Sequence, residues 1–106
     1  MAPIIFSPVS EKDIEDQYVF IALKNKPSAK KFLESIQRMT ETLSNMPKIG
    51  TVFPVEKEIL LEIRFLPISR FSNHLIFYGL SDKNVRILRI LHTKRDLDNI
   101  QIQAFL

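Results

Sequence analysis

Arg64, His74, Tyr78, His92, Lys94, Arg95 and Asp96 hold most of the reactive side-chain chemistry this sequence offers, and four of these seven fall within the five residues "HTKRD", His92 to Asp96. Their types suggest two kinds of task. Cleaving RNA through its 2′-hydroxyl needs a base for the hydroxyl proton, a cation beside the scissile phosphate and an acid for the leaving oxygen; histidine, arginine, lysine and tyrosine can fill those roles. The same cations without a matched acid and base suit contact with an acidic protein surface.

Each residue also has a structural reading beside the chemical one. Arg95 and Asp96 pair with neighbours or cap the last segment, an arrangement worth about 0–1 kcal/mol when exposed. With a period of two, His92 shares a pleat face with Leu88 and Ile90, which makes it equally a hydrogen-bonded residue at the edge of the core. Tyr78 follows Phe77 in the middle of an apolar strand and reads as core. Arg64 interrupts another apolar strand on the face it shares with Glu62, the pattern of a solvated face. His74 and His92 are the only histidines and there is no cysteine. The sequence therefore predicts no metal site and no bound cofactor, and it excludes a thiolate nucleophile and a disulfide framework.

The elements that must position these residues follow from local patterns. Ile4 to Phe6 is a short β-prone run closed by Ser7-Pro8. Ser10 then reads as the N-cap of a first helix, with Asp13 three residues on and Val9 and Ile14 placed as a hydrophobic staple. Ile14, Tyr18, Ile21 and Ala22 form its apolar stripe, and the helix should stop near Asn25. Ser28 caps a second helix, whose Ala29, Phe32, Leu33, Ile36, Met39, Leu43 and Met46 hold one face until Pro47 ends it. With only Lys26-Pro27 between them, the two helices must form an antiparallel hairpin. Its tip carries Lys24, Lys26, Lys30 and Lys31, read either as solvated surface or as nucleic-acid contact.

After "MPKIGTVFP", a connecting loop in composition, the periodicity changes to that of strands. Ile59 to Phe65, His74 to Leu80 and Val85 to Leu91 are separated by the short links Ser69–Asn73 and Ser81–Asn84, which predicts an antiparallel meander. Pro67 belongs at a strand end, an edge or a bulge. "VRILRIL" is apolar on both faces and reads as an inner strand. The tail "IQIQAFL" alternates like a strand and would be an aggregation hazard if left unpaired. The fold class is α+β in the order β-α-α-β-β-β, with the N-terminal strand and helical hairpin packed on a mainly antiparallel sheet.

Composition sets the limits on this reading. A chain of 106 residues, 45% hydrophobic and 25% charged, is expected to be one folded domain spanning residues 1–106. "MAPIIFSPVS" lacks the basic start of a signal peptide and no run is long enough to span a membrane, so a cytoplasmic protein with no membrane partner is expected. The net charge of +3 is read either as the mark of an acidic partner, protein or nucleic acid, or as an ordinary property of the surface.

Taken together, "SEKDIEDQYVFI", "MPKIG", "EIRFLPI", "LIFYGL" and "ILRILHTKRDL" resemble the ParE/RelE superfamily, the toxic halves of type II toxin–antitoxin pairs associated with plasmid stabilization. The last piece is similar to the ParE branch, in which a strand of the form I-L-x-[IV]-L-H-x-x-R-D ends the sheet; His92, Arg95 and Asp96 fall on that pattern. Two departures stand out. Asn73-His74 occupies the place of an aromatic before "IFY", and Gly79 the place of a basic or polar residue.

The resemblance implies a growth-inhibiting toxin that is either a DNA gyrase inhibitor or a ribosome-dependent mRNA endonuclease, bound in a hetero-oligomer to a cognate acidic antitoxin. RelE-like nucleases carry a tyrosine or a His-Tyr pair near the C-terminus. Here Asp98 is the one titratable side chain after Asp96, so the nuclease set is incomplete and gyrase is the expected target, met by the end of the last strand and the tail. Arg64, His74, Tyr78, His92, Lys94, Arg95 and Asp96 are the target-binding candidates; no catalytic residue is assigned. The antitoxin is expected on the helical hairpin and the open sheet edge.

Overall fold

The computed structural model describes residues 1–54 and 62–96. The start of the strand expected at Ile59 and the strand-like tail "IQIQAFL" lie outside them. In chain order the elements are β1 (Ile4–Phe6), α1 (Pro8–Lys24), α2 (Lys26–Asn45), β2 (Thr51–Val52), β3 (Glu62–Ile68), β4 (Phe71–Leu80) and β5 (Val85–His92). They build one mixed sheet in the order β1-β5-β4-β3-β2, with β1 parallel to β5 and every other pair antiparallel. The α+β class and the meander of β3, β4 and β5 are as expected. β5 is an inner strand, flanked by β1 and β4.

Both helix starts differ from the sequence reading, for the same reason. Pro8 fits the first turn, where its missing N–H is no loss, so the cap falls on Ser7, three residues before Ser10, and its hydroxyl accepts from the Ser10 N–H at 3.0 Å. Ser10 lies inside α1, buried, with its hydroxyl donating to the Ser7 carbonyl at 2.8 Å. Asn25 likewise replaces Ser28 as the cap of α2. Its Oδ1 accepts from the Ser28 N–H at 3.0 Å, while its own N–H closes α1 on the Ile21 carbonyl at 2.8 Å. One residue thus ends the first helix and starts the second, a tighter hairpin than Lys26-Pro27 implied.

Two more differences concern the strands. β2 sits inside the expected loop and pairs Thr51 with Phe65 and Val52 with Arg64. The link Ser69–Asn73 shrinks to Ser69-Arg70, with Arg70 in the left-handed region at φ 68°. Pro67 stands at a register shift in the β3–β4 ladder, as its missing donor requires.

A β-bulge in β5 decides which way the candidate residues point. Tyr78 pairs with Ile87 and Phe77 with Arg89, leaving Leu88 as the extra residue. Val85, Ile87 and Ile90 join the layer under the helices with Phe32, Ile36, Met39, Leu43, Ile68, Ile76 and Tyr78. Leu88 and Leu91 join the other layer, with Ile63, Leu75 and Phe77. A strict period of two therefore fails here, and His92 does not share a face with Leu88.

The bulge lies where β1 has ended, so β5 needs other partners at that edge. Ser7 supplies two of them: its N–H donates to the Ile87 carbonyl at 2.9 Å and its hydroxyl to the Leu88 carbonyl at 3.0 Å. Asp13 supplies the rest. Its Oδ2 accepts from the Ile90 N–H at 3.0 Å, and both its oxygens take Arg89, at 2.8 and 3.1 Å. The residue read as part of a capping pair instead ties α1 to the sheet. Among the described residues, no helix is long and apolar enough to cross a membrane.

Candidate target-binding site

The seven candidate residues separate into two groups at opposite ends of the sheet. Arg64 and Tyr78 are register partners across β3 and β4. Tyr78 is fully buried, and its hydroxyl donates to the Pro47 carbonyl at 2.8 Å and accepts from the Gly50 N–H at 2.9 Å. Arg64 adds three bonds, from Nη1 to the carbonyls of Lys48 and Gly50 at 3.0 and 2.7 Å and from Nε to Glu62 at 2.9 Å. Together they pin the loop that leaves α2. A Cβ on Gly50 would stand 2.6 Å from the Tyr78 hydroxyl, so only glycine lets the loop approach this closely. Burial raises the Tyr78 phenol above its usual range. Because it is sealed beneath the loop, Tyr78 has no outward-facing contact to offer a target.

The second group gathers at the end of β5, where His74 and His92 face each other across the ladder as edge-to-face rings 4.9 Å apart. His74 is 8% exposed, packed against Phe32 and Phe71. Burial first, and then the nearby His92 and Arg95, lower its pKa to about 4. His92 is pushed down too, by desolvation and by Arg95. Asp96 folds back: its carboxylate accepts from the His92 N–H at 2.7 Å, and its own N–H donates to the His92 carbonyl at 2.8 Å. The Lys94 N–H donates to His92 Nδ1 at 3.1 Å.

Gln17 completes this group, and sequence reasoning passed over it. Its Oε1 lies 2.6 Å from Arg95 Nη2 and 3.0 Å from His74 Nε2. Arginine can only donate, so the amide presents its oxygen, and His74 must donate to that oxygen from Nε2. His74 therefore carries a proton on Nε2. Three residues further along α1, Phe20 carries the Arg95 guanidinium over its ring at 4.7 Å and the Lys24 ammonium at the same distance. The i, i+3 relation of Gln17 and Phe20 was readable in the sequence, but nothing local showed that this face of α1 meets the end of β5.

The structure thus brings His74, His92, Lys94, Arg95 and Asp96 together with Gln17 and Phe20, and leaves Arg64 and Tyr78 at the far end. No curated protein matches the chain. Among solved structures, a chain of the "Chromosomal ParDE TA system from P. aeruginosa" matches with a TM-score of 0.68 at 20% identity, covering 87% of this chain and 96% of that one. At that identity the likeness speaks for the fold. The family model described as "ParE toxin of type II toxin-antitoxin system, parDE" matches residues 4–97, spanning β1, the capped hairpin, the meander and the His92–Asp96 turn just described. By that match the chain belongs to the ParE toxin family of type II toxin–antitoxin systems.

Proposed function

We propose that this ParE-family chain acts by binding DNA gyrase and blocking its supercoiling cycle, without breaking bonds itself, and that a cognate acidic antitoxin neutralises it. The observation that carries this reading is the internal commitment of the histidines. His74 spends its Nε2 proton on Gln17 and resists protonation until about pH 4. His92 spends its Nδ1 lone pair on the Lys94 N–H. A general base and a general acid must both reach one reacting group, and these two rings are turned toward each other and the backbone. What is left exposed is Lys94 and Arg95, cations suited to an acidic surface.

For the antitoxin, the support is the last turns of α1, where Val19, Phe20 and Leu23 are exposed beside a basic hairpin tip. An acidic amphipathic segment has both apolar and charged contacts to make there. The complex is expected to be cytoplasmic.

The test is a gyrase supercoiling assay with the intact protein and with Lys94→Glu/Arg95→Glu, run beside primer extension on a translated message. Inhibition of supercoiling by the intact chain, weakened about tenfold or more by the double reversal, with no codon-phased cuts, is the expected result. Codon-phased cuts lost in His92→Ala, with supercoiling untouched, would replace this reading by the ribosome-dependent mRNA endonuclease.

A further inference from the structure

We infer that the end of the molecule formed by the helical hairpin tip, the β3–β4 turn and the end of β5 is a docking surface for the phosphate backbone of duplex DNA. The argument begins with where the charge sits. The hairpin tip contributes Lys24, Lys26, Lys30 and Lys31; the fold adds Arg70 from the turn and Lys94 and Arg95 from the strand end. The three segments are joined by contacts: Phe71, next to Arg70, packs edge-on against Phe32 of α2 at 5.3 Å, and Arg95 and Lys24 share the Phe20 ring.

The described residues carry fourteen basic and nine acidic side chains. Seven of the basic and two of the acidic ones, Glu34 and Asp96, lie at this end, which leaves the rest of the described molecule balanced at seven against seven. The whole net charge of the described residues is therefore at one pole. All seven cations are exposed. Every ion pair among the described residues, Lys12–Asp16, Arg64–Glu62 and Arg89–Asp13, lies elsewhere. Unpaired cations of this density are repelled by one another and attract a polyanion.

Two features suit this surface to a nucleic-acid backbone as well as to an acidic protein. Five of the seven are lysines, point charges on flexible stems that can follow a row of phosphates. Arg70 is held at φ 68°, a left-handed turn position that glycine or asparagine fills with less strain, so a cation stands at the tip of the turn against the backbone's preference. A cleft lined by Met1, Met46, Ile49 and Leu80 is at the opposite pole.

The inference goes beyond gyrase binding and is tested without gyrase, so either can fail alone. Fluorescence anisotropy with a duplex of about 20 base pairs should show binding whose log K falls against log salt with a slope of about −4 to −6, each phosphate contact contributing about −0.9. Lys26→Glu/Lys30→Glu/Lys31→Glu should lose about thirtyfold or more at low salt. Lys48→Glu/Lys83→Glu/Arg86→Glu carries the same charge change on exposed residues elsewhere and should lose less than about threefold. Arg70→Gly should bind more weakly and shallow the slope by about one, while melting no lower than the parent. Circular dichroism confirms that each variant is folded. Equal losses from the two triple reversals, no salt-dependent binding, or equal binding of a poly-glutamate chain of matched charge would each overturn the proposal; the last would assign the surface to acidic proteins.

Discussion

A buried histidine is an expensive choice for an interior contact, and His74 shows what that choice does to stability. In the unfolded chain its imidazole takes up a proton near pH 6.5, whereas in the folded protein burial and the neighbouring Arg95 and His92 delay that to about 4. Between those values the unfolded state binds more protons, so acid pulls the equilibrium toward unfolding. Stability is complete above pH 6.5 and is lost as pH falls toward 4, by an amount on the order of 2–3 kcal/mol for this residue. His92, shifted the same way, adds to the trend. Urea unfolding at pH 7, 5.5 and 4.5 should therefore show a falling midpoint, and His74→Gln, which keeps a donor for Gln17 but cannot titrate, should flatten it. An unchanged slope in His74→Gln would mean that other groups set the acid sensitivity. The sequence identified both histidines as candidates but not their state, because the tautomer of His74 is set by Gln17, 57 residues away in the chain.

At the level of elements, what could be read from the sequence was what neighbouring residues decide. The two long helices, the apolar face of α2 and the inner position of β5 all follow from spacing. The caps were misplaced by three residues each, because Ser10 and Ser28 satisfy the same local rule as Ser7 and Asn25, and the choice depends on a proline at the first or second helical position. β2 was invisible, since two exposed residues in a loop become a strand only by pairing with β3. The Leu88 bulge was also invisible, and with it the role of Asp13. Its carboxylate and Arg89 are both mostly shielded, with side chains 14% and 24% exposed, and the Ile90 N–H has its acceptor there. Removing Asp13 alone strands a guanidinium and an amide; removing Arg89 as well leaves only the amide. Asp13→Ala should therefore lose about 2–4 kcal/mol, and Asp13→Ala/Arg89→Ala less than the sum of the single changes by about 1–2 kcal/mol. Urea unfolding of the three variants completes the cycle, and strict additivity would show that the pair does not couple α1 to the sheet.

The molecule as a whole is closed by its first few residues. β1 pairs with β5 in the register Ile4–Val85, Ile5–Arg86 and Phe6–Ile87, so a three-residue strand covers the edge of an apolar inner strand some eighty residues later. Ile4 and Phe6 pack against the core while Ile5 faces outward and is 41% exposed. The ladder adds a second asymmetry. The Val85 N–H donates to the Pro3 carbonyl and the Ser7 N–H to the Ile87 carbonyl, both at 2.9 Å, and the alternation of a parallel pair turns the N–H of Ile5 toward β5 as well. Pro3 is tolerated because it stands before the first paired residue. The side chain of Ile5 and its backbone are therefore separable. Ile5→Thr, still β-branched and facing solvent, should change stability by no more than about 0.5 kcal/mol. Ile5→Pro removes a donor from the ladder and should cost about 2–3 kcal/mol, leaving the β5 edge open to pairing between molecules. The measurement is urea unfolding together with light scattering over a day at 37 °C. Rising scatter in Ile5→Pro alone is the expected outcome, and equal behaviour of the two variants would mean that β1 contributes side-chain packing but does not protect the edge of β5.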